Sequence, residues 1–261
     1  MGVVVSDARR TTILGQRQRP LRGGIRIMLR WPEWDWGLCT LGFNAIDAST
    51  GQLSLITNSH CTGGQFTPGA TWSAYQTDTT SSADLVAFES ETPPCVPWWG
   101  LCLKSVDAER FTYAAPASDS VDLGAIARPL GPPPYSYYAS GSHTIDPANP
   151  KFVIGDEIAF PTGGTLVHRV GLVTGWVSGS VRDTCVWVQL DGDNPHWFYT
   201  CQYTVNLSAD GGVGGGRWVH HRFGLMPRLQ RRQGNRASRV GVGGARRAWW
   251  AVDRTHRLAC F

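Results

Sequence analysis

No segment of the sequence approaches the roughly 20 consecutive apolar residues of a membrane-spanning helix, so we expect no membrane partner. The segment Met1–Arg22 is rich in arginine. Its apolar pieces, Gly2–Val5 and Ile13–Leu14, are shorter than the roughly 7–15 residues of a signal-peptide core, so no signal peptide is visible. Neither a Cys-x-x-Cys nor a His-x-x-x-His spacing occurs, and we expect no metal and no cofactor.

Long stretches without glycine or proline are also scarce, because the chain contains 31 Gly and 16 Pro. This composition argues against long helices and favours many short strands joined by turns. The sequence is 42% hydrophobic and 11% aromatic, which is sufficient for a packed core. Its 261 residues accommodate one large domain or two domains of about 100–130 residues.

Runs of strand length recur in both halves of the sequence. Cys39–Ile46 and Gln52–Thr57 alternate in polarity around the turn Asp47–Gly51, which predicts a hairpin. The other predicted strands are Gly24–Leu29, Thr71–Tyr75, Leu85–Phe88, Arg110–Ala114, Leu123–Arg128, Lys151–Phe160, Thr165–Val173, Gly175–Val181, Thr184–Leu190 and Trp197–Val205. Two halves with similar strand runs predict an all-β fold of paired β-barrels.

Seven cysteines are present, and the first six form three local pairs along the chain: Cys39, Cys61, Cys95, Cys102, Cys185 and Cys201, with Cys260 left over. Such pairs indicate a disulfide framework and a secreted or extracytoplasmic location. Pairing of neighbours would close three short loops, Cys39–Cys61, Cys95–Cys102 and Cys185–Cys201, although other pairings are compatible with the sequence. The alternative is a set of buried thiols or a metal site.

Positive charge is concentrated at the carboxyl end. Residues 217–261 contain eleven Arg and one acidic residue, which leaves a net charge of −6 on the preceding part of a chain whose total is +4. This shift marks a boundary. We therefore expect five segments: a disordered basic segment or propeptide remnant (1–22), a first barrel (23–130), a linker (131–150), a partial second barrel (151–216) and an Arg-rich tail that is frameshifted and disordered (217–261).

Three stretches resemble trypsin-like, chymotrypsin-fold bacterial serine proteases. CTLGFNAIDASTGQLSLITNSHC (39–61) is similar to the region around the catalytic histidine of that family, where a strand ends in Thr-Asn-Ser-His-Cys. Val170–Val181 is similar to the Gly-x-Thr-Thr-Gly-Trp-x-x-Gly hairpin of its second barrel, and Cys185–Gln202 to the strands that lead to its active serine. The resemblance covers about Gly23 to Gly216. It implies two antiparallel Greek-key barrels, the second incomplete here, and a peptide or protein substrate.

The resemblance assigns the general base to His60, which from spacing alone is equally consistent with a surface histidine beside a structural cysteine. It assigns the orienting carboxylate to Asp107, because Cys102–Phe111 is similar to the family's Cys-Arg-Tyr-Ser-Asp-Ala-Ala-Phe, with one extra residue before the aspartate. Asp84 is the alternative, since it directly precedes the apolar strand Leu85–Phe88. A structural role for both carboxylates is the third interpretation.

The family's nucleophile lies in Gly-Asp-Ser-Gly-Ser-Pro, and this sequence has no such motif. The serine is missing near Arg217 and Trp218, with Arg217 where the aspartate is expected, and Gly215 and Gly216 mark the expected oxyanion region. Ser208 lacks flanking glycines, and we interpret it as a loop serine. The expected function is therefore that of a serine endopeptidase lineage that is inactive in this form.

The genetic code offers a cause for the missing serine. One C restored within the Trp218 codon makes the codons of Trp218–Phe223 compatible with Ser-Gly-Ser-Pro-Pro-Val. A single-base deletion would then explain the missing serine, the arginines and the odd Cys260. The alternatives are a pseudoprotease that binds without catalysis, and a fused tail whose arginines, Trp249 and Trp250 bind nucleic acid or another anionic surface. Frameshifted GC-rich DNA yields Arg, Gly and Ala by default, so nucleic acid is not an expected partner.

Overall fold

The protein is described here from a computed structural model, which covers residues 12–31, 36–62, 72–76, 80–118, 120–134, 140–155, 158, 160–189, 196–206 and 241–242. Almost all regular structure in this part of the chain is β-strand, and α1 (Ala115–Ser118) is a single helical turn. The predicted all-β fold is confirmed. None of the helices described is long and apolar enough to cross a membrane.

The strands are short, in keeping with the density of glycine and proline. They are β1 (Leu21–Gly23), β2 (Arg26–Arg30), β3 (Trp36–Thr40), β4 (Phe43–Asp47), β5 (Leu53–Thr57), β6 (Ser73–Tyr75), β7 (Leu85–Glu91), β8 (Val96–Trp98), β9 (Leu101–Lys104), β10 (Glu109–Tyr113), β11 (Val121–Ala127), β12 (Lys151–Val153), β13 (Leu166–Gly171), β14 (Gly175–Val188), β15 (Trp197–Val205) and β16 (Gly241–Val242).

Seven strands of the first half and the short strand β16 from the carboxyl-terminal region form one eight-stranded sheet in the order β16-β4-β5-β10-β7-β6-β2-β3, which curls into a half-barrel. The predicted hairpin is present as β4 and β5, and its turn is stabilised because the carboxylate of Asp47 accepts hydrogen bonds from the backbone N–H groups of Ser49 and Thr50. The predicted strand Cys39–Ile46 is divided in two. Its first part belongs to β3, which pairs with β2, and its second part is β4, which pairs with β5.

A five-stranded sheet in the order β13-β14-β15-β9-β8 combines strands from both halves. The strands predicted at Gly175–Val181 and Thr184–Leu190 are one long strand, β14, whose register against β15 shifts repeatedly. The first-half hairpin β8–β9 turns at Trp99 and Gly100, both with positive φ (49° and 78°), as a two-residue type I′ turn requires. Strand β9 then pairs in parallel with β15, so this sheet crosses the expected boundary between the halves.

The segment 12–22 is packed in the structure, which corrects the expectation of disorder for this part of residues 1–22. Leu14 and Leu21 are fully buried in the main hydrophobic core. The backbone N–H of Leu14 donates to the carbonyl of His143, and Leu21 begins β1, which pairs in parallel with β11 in a three-stranded sheet, β1-β11-β12. Residues 1–11 lie outside the described part of the chain.

The main core also joins the two halves of the sequence, because Phe152 and Val170 pack into it beside first-half residues. Gly24 lies at this junction with a φ of 85°. A Cβ atom there would approach Val170 Cγ1 to 2.7 Å, so only glycine permits both the conformation and the close approach. The halves are therefore packed together through the segment that precedes β2.

Three disulfides are present, and they join the neighbouring cysteines: Cys39–Cys61, Cys95–Cys102 and Cys185–Cys201. The first joins β3 to the turn after β5, the second joins the residue before β8 to β9, and the third joins β14 to β15. Each disulfide therefore connects elements that are neighbours in the folded structure. In the unfolded chain, the same cross-links reduce the number of accessible conformations.

Replacement of Leu14 by Ala tests whether residues 12–22 belong to the folded unit. Because the Leu14 side chain is 0% exposed, we expect the Leu14→Ala variant to lose about 2–5 kcal/mol of unfolding free energy, measured by denaturant titration. Its neighbour Ile13 is 41% exposed, and Ile13→Ala is the matched control, with an expected loss of less than about 1 kcal/mol. Equal stability of the two variants would contradict the packing of this segment.

Candidate active site

His60 lies in a short turn that is held at both ends by the sheet. Strand β5 ends at Thr57, whose hydroxyl donates to the Thr40 carbonyl at 2.9 Å. The chain then forms a single 3₁₀ turn, Ser59–Thr62, and within it Cys61 is bonded to Cys39 in β3. The disulfide fixes the residue next to His60, so the histidine backbone has little freedom to move relative to the sheet.

Strand pairing brings Asp107 to this turn. In the antiparallel pair β5–β10, Thr57 lies opposite Glu109. Antiparallel strands run in opposite directions, so the residues that follow Thr57 and those that precede Glu109 lie at the same end of the pair. Asp107 and His60 therefore meet beyond the last rung of the ladder, although they are 47 positions apart in the sequence.

The Asp107 carboxylate accepts hydrogen bonds from three consecutive residues. Its Oδ1 accepts from the backbone N–H of His60 and from the Ser59 hydroxyl, both at 3.0 Å. Its Oδ2 accepts from Asn58 Nδ2 at 2.8 Å and lies 2.6 Å from His60 Nδ1. Hydrogen bonds to an ionised acceptor are stronger than neutral ones, so this arrangement stabilises the charged carboxylate and fixes the orientation of the ring.

The contact with Asp107 also determines what the imidazole can do. A carboxylate accepts and does not donate, so the proton of a neutral His60 ring resides on Nδ1 and the lone pair is on Nε2. The Asp107 side chain is 10% exposed and the His60 side chain 30% exposed, so the carboxylate is shielded while the ring is accessible. This arrangement can accept a proton at Nε2 and stabilise the resulting imidazolium.

Asp84 lies at a different place. It precedes β7 and forms an ion pair with Arg17, with Nε 3.0 Å from Oδ1. The other end of β7 adjoins the start of β10, where Glu89 lies opposite Phe111. The chain from Asp84 to Glu89 spans about 17 Å, so Asp84 lies at the opposite end of β7 from the histidine turn. The structure therefore brings Asp107, and not Asp84, to His60.

Two further carboxyls are buried close to this turn. Glu109 is completely buried, and burial raises its pKa well above the usual value. The hydrogen bond with Thr62 acts against this shift, and the charges of Glu89 and Asp107 add to it. Burial also raises the pKa of Glu89, against the hydrogen bonds that it accepts from the Trp72 N–H and the Thr92 hydroxyl. Desolvation disfavours the charged form, so the neutral acid is favoured at Glu109.

The expected nucleophile region lies outside the described residues, which stop at Asn206 and resume at Gly241. This gap contains Ser208, the oxyanion glycines Gly215 and Gly216, and the Arg217–Trp218 position of the missing serine. Most of the basic tail, with Trp249, Trp250 and Cys260, also lies outside. Among the residues described, there is no group of three or more His, Cys, Asp or Glu placed to hold a metal ion.

Sequence reasoning assigned no role to Asn58 or Ser59, which supply two of the donors to Asp107. A signal was present, since both belong to the Thr-Asn-Ser-His-Cys run that ends the strand. Glu109 and Thr62 were also missed. A charged residue at the start of an apolar strand suggests a solvent-exposed position, and only the packing shows that Glu109 is buried.

Comparison with solved structures finds proteases. Alpha-lytic protease homolog N4 is 21% identical with a TM-score of 0.43, covering 76% of this chain and 77% of that chain. A Nocardiopsis protease is 17% identical with a TM-score of 0.43, covering 75% and 76%, and Thermobifida fusca protease A is 15% identical with a TM-score of 0.41, covering 76% and 77%. No family model and no curated protein matches the sequence.

The pair of substitutions Asp107→Asn and Asp84→Asn tests which aspartate orients His60. Asparagine at position 107 removes an ionised acceptor from the Asn58, Ser59 and His60 donors, so we expect a loss of about 2 kcal/mol in unfolding free energy. The ¹⁵N spectrum of the imidazole should also show that the proton leaves Nδ1 of His60. Asp84→Asn should leave that spectrum unchanged and cost less than about 1 kcal/mol. The reverse pattern would transfer the role to Asp84.

Proposed function

We propose that this chain belongs to a lineage of secreted serine endopeptidases and that it is inactive in this form because the nucleophilic serine is absent. His60 is the general base and Asp107 is the carboxylate that orients it. The contact of 2.6 Å between His60 Nδ1 and Asp107 Oδ2 carries the proposal, together with the sequence around both residues. The substrate class is a peptide or a protein.

The roles follow from the chemistry of acyl transfer. A serine hydroxyl is a weak nucleophile, and a base within hydrogen-bond reach must take its proton as it attacks a peptide carbonyl. Nε2 of His60 is the ring atom that can do so, because Asp107 occupies Nδ1. After attack, the imidazolium gives the proton to the departing amine, and the carboxylate of Asp107 stabilises the charged ring in the interval.

The preservation of the base favours an intact ancestral enzyme. The Asp107 carboxylate is 10% exposed, and its four contacts join it to three successive residues of the histidine turn. An unused histidine requires no such arrangement. We propose that the serine was lost through a single-base deletion in codon 218 and that residues 217–261 are the frameshifted product. In this proposal, residues 23–130 form the first barrel and residues 151–216 form a partial second barrel.

The location is proposed from the disulfides. Disulfides persist in an oxidising environment and are rare in the cytosol. This protein has three: Cys39–Cys61, Cys95–Cys102 and Cys185–Cys201. A secreted or extracytoplasmic endopeptidase fits this chemistry, and the mechanism requires neither a metal nor a cofactor.

The test begins with the coding DNA across codons 201–261. We expect that one added C in codon 218 opens a frame that encodes Ser-Gly-Ser followed by alternating strand sequences. The full-length protein read in that frame should hydrolyse peptide substrates. Asp107→Asn in the repaired protein should lower kcat by about 10⁴, and His60→Ala by about 10⁶.

Two results would contradict the proposal. The first is a coding sequence in which no frame encodes a serine flanked by glycine at this position, which would make a non-catalytic binding protein the better interpretation. The second is peptide hydrolysis that His60→Ala leaves unchanged, since a contaminating protease or another residue would then be responsible. The Asp84→Asn variant of the repaired protein is the matched control and should retain activity.

A further inference from the structure

A second carboxyl contacts the histidine turn, at the other end of the turn from Asp107. Glu109 is the first residue of β10 and is 0% exposed, and its Oε2 lies 2.5 Å from Thr62 Oγ1. Thr62 is the buried last residue of the 3₁₀ turn that carries His60. Asp107 therefore contacts the beginning of the turn, and Glu109 contacts its end. The proposed peptidase mechanism assigns no step to Glu109.

The number of protons available at Thr62 determines the state of Glu109. A threonine hydroxyl has one proton to donate. Thr62 Oγ1 lies 3.1 Å from the Ser59 carbonyl oxygen and 2.5 Å from Glu109 Oε2. If Glu109 were ionised, both neighbours would be acceptors, and one of the two contacts would lack a proton. If Glu109 is protonated, its O–H donates to Thr62 Oγ1, and the Thr62 hydroxyl donates to the Ser59 carbonyl.

We propose that Glu109 is a positioning residue, held as a neutral carboxylic acid, and that the hydrogen-bond relay Glu109–Thr62–Ser59 closes the turn that presents His60 to Asp107. The relay acts through the backbone of the turn, since the Ser59 carbonyl is the group that it fixes. The importance of this positioning for catalysis rests on the proposed role of His60 as general base. The relay itself depends only on residues that the structure describes.

The surroundings of Glu109 favour the neutral acid. Glu89 faces it from β7 and Asp107 from the loop before β10, and both repel a second negative charge. Lys104 in β9 acts in the opposite direction, but its ammonium group is also 4.2 Å from the centre of the Trp197 ring. Glu89 accepts hydrogen bonds from the Trp72 N–H and from the Thr92 hydroxyl, which is 2.9 Å from Glu89 Oε1 but 3.5 Å from Glu109 Oε2, so these donors lie closer to Glu89.

The relay has a defined pH dependence. Burial raises the pKa of Glu109 in the folded protein above that of the unfolded chain. The unfolded chain therefore loses its proton first, and the contribution of Glu109 to stability is complete below the unfolded pKa. It decreases as the pH rises toward the folded pKa. Alkaline pH should consequently open the histidine turn, and a residue that cannot ionise should prevent this.

Backbone amide hydrogen exchange of Ser59–Thr62 in the ¹⁵N-labelled full-length chain tests the relay. At neutral pH, Thr62→Val should increase the exchange of the His60 amide about tenfold, because the hydroxyl link is lost. Glu109→Gln should keep the protection of the unsubstituted chain, since its amide can donate to Thr62 Oγ1. At alkaline pH, the unsubstituted chain should lose protection beyond the intrinsic effect of pH, whereas Glu109→Gln should retain it.

Thr92→Val is the matched control, because Thr92 contacts the same buried acids without touching the histidine turn. We expect it to leave the exchange of the His60 amide unchanged. The inference is overturned if Thr92→Val and Thr62→Val have equal effects, or if Glu109→Gln loses protection as Thr62→Val does. If a variant does not fold, the ¹³C shift of the Glu109 carboxyl in the unsubstituted chain decides, since an ionised carboxylate at pH 7 would refute the neutral acid. None of these measurements needs a nucleophile. The relay can therefore be refuted while the repaired protein is found to hydrolyse peptides, and the relay can be supported while no peptidase activity is found.

Discussion

The Asp107 carboxylate is the group around which the candidate site is organised. A buried negative charge costs several kcal/mol unless donors surround it. Here Asn58, Ser59 and the backbone and ring of His60 supply those donors, so burial of the charge and positioning of the base are one arrangement. The pairing of β5 with β10 makes it possible, because it places the two loops at the same end of a ladder.

The packing around this site is continuous with the rest of the molecule. The Cys39–Cys61 disulfide connects the histidine turn to β3, and the contact between Thr62 and buried Glu109 connects it to β10. Beyond the first-half sheet, the segment 12–25 and the close approach at Gly24 join this half to Val170 of the second half. A turn that must hold one ring in one orientation is thus supported from several sides, as a preorganised site requires.

The chain therefore combines a well-supported histidine, the general base of our proposal, with the absence of the serine that such a base would activate. Retention of one part of a catalytic unit has little value for acyl transfer, because the members of such a unit act together. The proposed deletion in codon 218 resolves the contradiction without assigning a new purpose to His60. It also accounts for the abrupt excess of eleven arginines after residue 216.

Sequence patterns identified the β-rich class, the β4–β5 hairpin, the neighbouring cysteine pairs and the sequence around His60, because these depend on local alternation, spacing and motif. They left Asp107 and Asp84 as alternatives, since both precede a strand and spacing alone does not show which strand lies beside β5. The burial of Leu14 and Leu21, the pairing of β9 with β15 and the burial of Glu109 were decided by tertiary structure alone. Each depends on residues that are distant in sequence, and their contacts exist only after the chain has folded.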